Sequence, residues 1–152
     1  MILWRISGYV TLDGAGGLRF PGRWHTAGQR IVYCAPNPAT ALLEVLVHSE
    51  ISIDDLPVNL RYLEIETPNA LAIEEANTSA LGMSWRSDLA ETRRAGDQWL
   101  RSGRTALLRV PSVIVPETWN VLINPQHPES RQAYVIRTHR HGIDSRLFRS
   151  LS

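Results

Sequence analysis

The segment Ile31-Val32-Tyr33-Cys34-Ala35-Pro36-Asn37-Pro38-Ala39-Thr40-Ala41-Leu42-Leu43-Glu44-Val45-Leu46-Val47-His48 packs a strand, a helix cap and a helix into one short run. Ile31 to Cys34 is β-branched and aromatic, the composition of a buried strand. Asn37-Pro38 then supplies a capping side chain followed by a proline suited to the first helical turn, and Ala39 to Ser49 continues in helix-forming residues. Further strands are expected at Ile2 to Ile6, Asn59 to Ile65, Ala106 to Val110, Val121 to Ile123 and Ala133 to Thr138. A second helix is expected from Ser87 to Ser102, with Gly103 as its stop and Gly96 as a break within it. The strands do not alternate regularly with helices, which argues against a doubly wound parallel sheet. The expectation is a single α+β domain over residues 1–152, built on a mixed sheet with flanking helices.

Composition narrows the function classes. The chain has 152 residues, 43% hydrophobic and 20% charged, as in an ordinary globular protein. A net charge of +1 supplies no general basic field for nucleic acid or an anionic membrane. All 16 basic residues are arginine. Schiff-base chemistry and a P-loop lysine are therefore excluded, and any phosphate must be held by arginine, backbone N–H groups or a helix N-terminus. Gly14, Gly16 and Gly17 miss the dinucleotide fingerprint, because Arg19 stands at the third glycine position; they read as a flexible loop. Cys34 is alone, so no internal disulfide is expected. The opening Met1-Ile2-Leu3-Trp4-Arg5 lacks the features of a secretory signal, and no apolar run is long enough for a membrane span, so cytoplasmic residence is expected.

Glu44 interrupts an otherwise apolar helix, and Ala41, Glu44 and His48 share its narrow polar stripe. By itself the stripe reads equally as a solvated face or as a site. Arg23 follows Pro21-Gly22 and precedes Trp24; its guanidinium suits a phosphate, while a surface arginine stacked on tryptophan is the plainer alternative. Arg5 on the first strand is a second candidate cation. Tyr33 ends the strand before the Glu44 helix, where either core packing or a ligand pocket is its place. Ser112 lies in an extended segment between Pro111 and Val113. Cys34 with His48 is a weaker nucleophile pair, and His139 and His141 lack a further ligand pair at zinc spacing, so no metal is expected.

Taken in order, Trp4-Arg5-Ile6, Pro21-Gly22-Arg23-Trp24, Gly28, Val32-Tyr33-Cys34, Ala41-Leu42-Leu43-Glu44, Gly96-Asp97-Gln98-Trp99-Leu100, Val110-Pro111-Ser112 and Asn120-Val121-Leu122-Ile123-Asn124-Pro125-Gln126-His127-Pro128 cover nearly the whole chain. This pattern resembles the RES domain family, the toxin halves of a class of bacterial toxin–antitoxin pairs. The resemblance implies an ADP-ribosyltransferase-like fold. It makes Arg23, Glu44 and Ser112 the name-giving residues and Tyr33 a further site member. It implies NAD as a substrate that is consumed, with no separate cofactor, by hydrolysis, phosphorolysis or ADP-ribose transfer. The implied partner is a cognate helix-turn-helix antitoxin of Xre-like type, in an oligomeric complex. Two positions depart from the family pattern: Pro21 replaces a glycine and His25 an asparagine.

On this reading Glu44 stabilises the cation that develops on the ribose, Arg23 with Arg5 holds pyrophosphate, Tyr33 stacks on nicotinamide and Ser112 orients a ribose or amide group. The rival is an inactive nucleotide-binding or protein-interaction module of the same fold. Residues Ile51 to Leu60 are a candidate antitoxin-facing segment.

Overall fold

A computed structural model describes residues 1–48 and 58–148. The seven strands among them are β1 (Ile2–Ser7), β2 (Val32–Cys34), β3 (Arg61–Glu66), β4 (Ile73–Glu75), β5 (Leu107–Pro111), β6 (Trp119–Ile123) and β7 (Tyr134–His139). The two α-helices are α1 (Pro38–His48) and α2 (Leu89–Ser102).

The strands divide between two sheets. An antiparallel sheet has the order β1-β3-β7, and a mixed sheet has the order β2-β6-β5-β4, with only the β4–β5 pair parallel. Trp4 and Ala35 exchange backbone hydrogen bonds of 2.8 and 2.7 Å and so join the two sheets. The α+β class and the mixed sheet follow the sequence reading, but the strands form two sheets.

Alternation explains how the layers meet. Leu3, Leu63, Ile65, Val32, Cys34, Leu107, Val121 and Ile123 belong to one buried cluster, made by the facing sides of the two sheets. Leu108, Val110 and Leu122 point the other way, into a second cluster with Trp24, Trp99 and Leu100 beneath α2. The four-stranded sheet is thus covered on both faces, which is why β5 and β6 read as nearly continuous apolar runs.

Local signals set the helix ends. Asn37 Oδ1 accepts the Thr40 N–H at 2.8 Å at the start of α1. Asp88 caps α2 by accepting from Ala90, and Gly103 closes it in the left-handed conformation.

Two expectations need correction. α2 runs unbroken through Gly96: a Cβ there would sit 1.7 Å from the Trp24 carbonyl oxygen, so the glycine admits the neighbouring backbone and does not break the helix. The glycine run is also no loose loop, because Ala15–Leu18 forms a 3₁₀ turn with Gly17 packed on the Gln29 carbonyl. β4 was not expected. It is a three-residue edge strand, Ile-Glu-Glu, whose charges pair with Arg104 and Arg109 and leave no apolar alternation to read.

Candidate active site

Helix α2 moulds the loop that carries Arg23. Arg93 Nε donates to the Gly22 carbonyl at 2.8 Å, and Thr92 Oγ1 donates to the Arg23 carbonyl at 2.6 Å. Gly96 receives the Trp24 backbone. The Asp97 carboxylate accepts from both the N–H (3.0 Å) and the hydroxyl (2.7 Å) of Thr26. Positions 92, 93, 96 and 97 share one face of a helix, so a single helical face fixes four successive points of the loop.

Tyr33 and His25 brace the loop from the sheet side. The Tyr33 hydroxyl accepts the Trp24 N–H at 3.1 Å and lies 2.8 Å from His25 Nδ1. The Gly22 N–H also points at Nδ1, at 3.2 Å. Nδ1 is therefore the acceptor and Tyr33 donates to it, which assigns the imidazole proton to Nε2; that atom is buried near the Gly17 and Phe20 carbonyls but within hydrogen-bonding geometry of no partner among the described residues. Burial holds His25 below its ordinary value, and those carbonyls oppose the shift without reversing it. Burial likewise pushes the Tyr33 phenol well above its ordinary value. A Cβ at position 22 would meet the Tyr33 hydroxyl at 2.4 Å, so only glycine fits. The two family departures fall outside the arginine itself: His25 is buried beneath the loop as its hub, and Pro21 is exposed.

With the loop's backbone fixed, the Arg23 side chain is left for other work. Its Nη1 is buried with no hydrogen-bond partner among the described residues. Burial lowers its pKa, the Glu44 charge opposes that shift, and nearby Arg93 adds to it. A guanidinium stays charged in proteins, so this is a cation whose charge is incompletely compensated. Arg5 extends from the core-facing side of β1 and donates to the Tyr33 carbonyl at 3.1 Å, while its Nε is buried without a partner.

Glu44 is held from three directions. Asn120 Nδ2 donates to its Oε1 at 2.7 Å, Ser112 Oγ approaches the same oxygen at 3.4 Å, and His48, one turn on, lies 3.6 Å from Oε2. Burial alone would raise the Glu44 pKa. The nearby His48 imidazole and the hydrogen bonds from Asn120 and Ser112 outweigh it, so the carboxyl titrates below its ordinary value and is ionised at neutral pH. Ser112 is itself buried, and its Oγ accepts from the N–H groups of Ile114 (3.2 Å) and Val115 (3.3 Å). Its lone pairs therefore serve its own turn while its proton faces Glu44.

The structure thus brings Ser112 to Glu44, seats the Arg5 guanidinium on the Tyr33 backbone carbonyl, and puts Arg23 within the electrostatic reach of Tyr33 and Glu44. Sequence reasoning missed Asn120 and the Thr92–Arg93–Asp97 face of α2. Asn120 escaped because the strand was expected to begin at Val121, whereas β6 begins at Trp119 and carries Asn120 to Glu44. An amide inside an apolar strand was the available signal.

Other groups are placed elsewhere. Cys34 is buried, and burial pushes its thiol up to about 12, which fits inert core. His139 stacks on Trp4 and on His141 in a cleft of about 320 Å³ that Pro38, Ala39, Leu42 and Tyr62 also line. Leu42 and Glu44 lie about 200° apart around α1, so this cleft is across the helix from the carboxylate. A second cleft, of about 230 Å³, lies between β4 and α2. Neither cleft includes Arg23 or Glu44; the first is mostly aromatic and apolar, and the charges on the second are spent in the Arg94–Glu91 and Arg104–Glu74 pairs. Of the candidate antitoxin-facing segment Ile51 to Leu60, residues 51–57 lie outside the described residues. No helix among the described residues is long and apolar enough to cross a membrane.

Comparison with known proteins gives a consistent picture. The RES domain family matches residues 2–144. A protein named Toxin Res from Pseudomonas putida is 47% identical over 148 residues, covering 97% of this chain and all of the relative. The Prs ADP-ribosylating toxin of a Sphingobium species is 40% identical over 142 residues, covering 91% of this chain and 87% of the relative. Among solved structures, a chain of the MbcT–MbcA toxin–antitoxin complex of M. tuberculosis superposes with a TM-score of 0.72. That match covers 90% of this chain and 81% of the other at 16% identity, a likeness of fold alone.

Proposed function

This chain belongs to the RES domain family, and on that premise we propose that it is the toxin of a toxin–antitoxin pair and that it cleaves the nicotinamide–ribose bond of NAD. The observation that carries the reading is the ionised Glu44, fixed by Asn120, Ser112 and His48 within reach of the Arg23 charge. Among the described residues, no second carboxylate figures among the groups acting on Glu44.

That arrangement suits this bond. Glycosidic cleavage builds positive charge on the sugar, and a conventional glycosidase needs a second carboxylic acid to protonate the leaving group. Nicotinamide needs no proton: the bonding electron pair moves to its ring nitrogen, which passes from cationic to neutral. One carboxylate against the developing sugar cation is then enough. Arg23, with Arg5, binds the pyrophosphate, and Tyr33 offers its ring to nicotinamide. Ser112 braces the carboxylate. The acceptor that closes the anomeric carbon is water, phosphate or a protein side chain; the Sphingobium relative is named for ADP-ribosylation. The partner is a cognate antitoxin, a reading supported by the toxin–antitoxin complex in which the fold-sharing chain was solved; that it is a helix-turn-helix protein of Xre-like type in an oligomeric complex is part of the proposal and comes from the family resemblance.

Purified protein incubated with NAD tests this, with nicotinamide release followed and the ADP-ribose product weighed by mass spectrometry in the presence and absence of phosphate. Release should fall about 100-fold or more in Glu44→Ala. Equal NAD loss in both proteins, or none in either, contradicts the proposal. NAD binding without any release supports the inactive module instead.

A further inference from the structure

We infer that Asn120 is the positioning residue of Glu44, selecting which carboxylate oxygen faces the substrate and keeping the group in its working orientation. The inference deepens the NAD-cleaving reading and rests on it for its kinetic consequences.

Three observations carry it. The Asn120 Nδ2 to Glu44 Oε1 bond, at 2.7 Å, is the shortest that Glu44 receives; the Ser112 approach to the same oxygen is long at 3.4 Å. The amide has only one workable orientation, because turning it over would set Oδ1 against Oε1, acceptor against acceptor. That orientation leaves Oδ1 buried without a partner among the described residues. A buried polar atom is normally satisfied, so the amide is arranged for the carboxylate and not for its own hydrogen bonding.

The consequence is a division of labour between the two Glu44 oxygens. Oε1 is committed to Asn120 and Ser112. Among the described residues Oε2 meets only His48, whose side chain is largely exposed and 3.6 Å away, and so remains the oxygen that faces the ribose. The bond also crosses from α1 to β6, so it fixes the helix-borne carboxylate against the sheet. Among the described residues, the charged and titratable groups around Glu44 are His48 on its own helix and Arg23 on the loop, with Arg93 beyond it. None of these donates to Oε1.

The test uses Asn120→Ala and Asn120→Asp in the full chain, with thermal unfolding to confirm that each variant folds. In Asn120→Ala, kcat for nicotinamide release should fall about 10-fold to 100-fold with KM little changed, as expected for a misplaced catalytic group. The acidic limb of the rate profile should move to higher pH, because a bond that lowers the Glu44 pKa is gone. Asn120→Asp should move the limb further, by placing like charges together. Carbon-13 NMR titration of the Glu44 carboxyl provides a readout independent of turnover: its midpoint should rise in Asn120→Ala. An unmoved midpoint overturns the inference whether or not the protein acts on NAD. A wild type that releases no nicotinamide while the midpoint still shifts sinks the NAD reading and leaves the positioning intact.

Discussion

The loop bearing Arg23 and the cluster bearing Glu44 are held in opposite ways. Around Arg23, side chains from α2 grip the backbone of residues 22, 23 and 26, and Tyr33 grips that of residue 24. Around Glu44, side chains grip a side chain across 68 and 76 residues of sequence. The first arrangement fixes where a residue stands whatever its side chain is. The second fixes the reacting group itself and strands its partners if that group is removed. The comparison teaches that fold stability and chemistry are separable here: the loop mould belongs to the fold, while its arginine and the glutamate belong to the reaction.

Gly96→Ala attacks the mould directly. Its Cβ would fall 1.7 Å from the Trp24 carbonyl oxygen, and neither helix backbone nor loop backbone can yield cheaply. Urea unfolding should show a loss of about 3 kcal/mol, at the upper end of ordinary overpacking. An unchanged midpoint would mean that the loop is not seated on α2 as described. Arg23→Ala probes the same loop from its other side. With the backbone still held, stability should stay within about 1 kcal/mol of wild type, while KM for NAD rises about 10-fold to 100-fold from the loss of a charged hydrogen-bonding group. A comparable loss of stability would erase the distinction between the two regions.

His25→Asn sharpens the comparison through pH, with the smallest effect. Burial lowers the folded-state pKa of His25 below its ordinary value of 6.5, so the unfolded chain binds the extra proton first as pH falls. The stability tied to neutral His25 is therefore complete above about pH 6.5 and is lost progressively below it, toward the folded value. Asparagine should remove that part of the acid dependence, seen as a flatter plot of unfolding midpoint against pH. The same slope in both proteins would show that His25 is not the neutral hub of the loop.

Much of this was legible in the sequence where local rules dominate. Asn37-Pro38 announces α1 because capping is a matter of adjacent residues, and Gly103 ends α2 for the same reason. The strands of the mixed sheet were readable from their apolar runs, except β4, where two charged residues in three leave no pattern. Partners distant in sequence were not readable. Gly96 looks like a helix breaker until Trp24 is placed against it, and His25 looks like a disturbance of the arginine until it is found beneath the loop. Asn120 stood in the motif order but acquired a task only when β6 proved two residues longer and reached Glu44. Motif order brought Arg23, Glu44 and Ser112 to notice. It could not say that Ser112 spends its lone pairs on its own turn.

The central claim is that Arg23 and its loop hold the nucleotide and Glu44 acts on it. Calorimetric titration of NAD into Glu44→Gln, with nicotinamide assayed in the same cell, tests that claim most directly. The account predicts binding that depends on Arg23, with nicotinamide release reduced about 100-fold or more. Release at the wild-type rate from Glu44→Gln would contradict it.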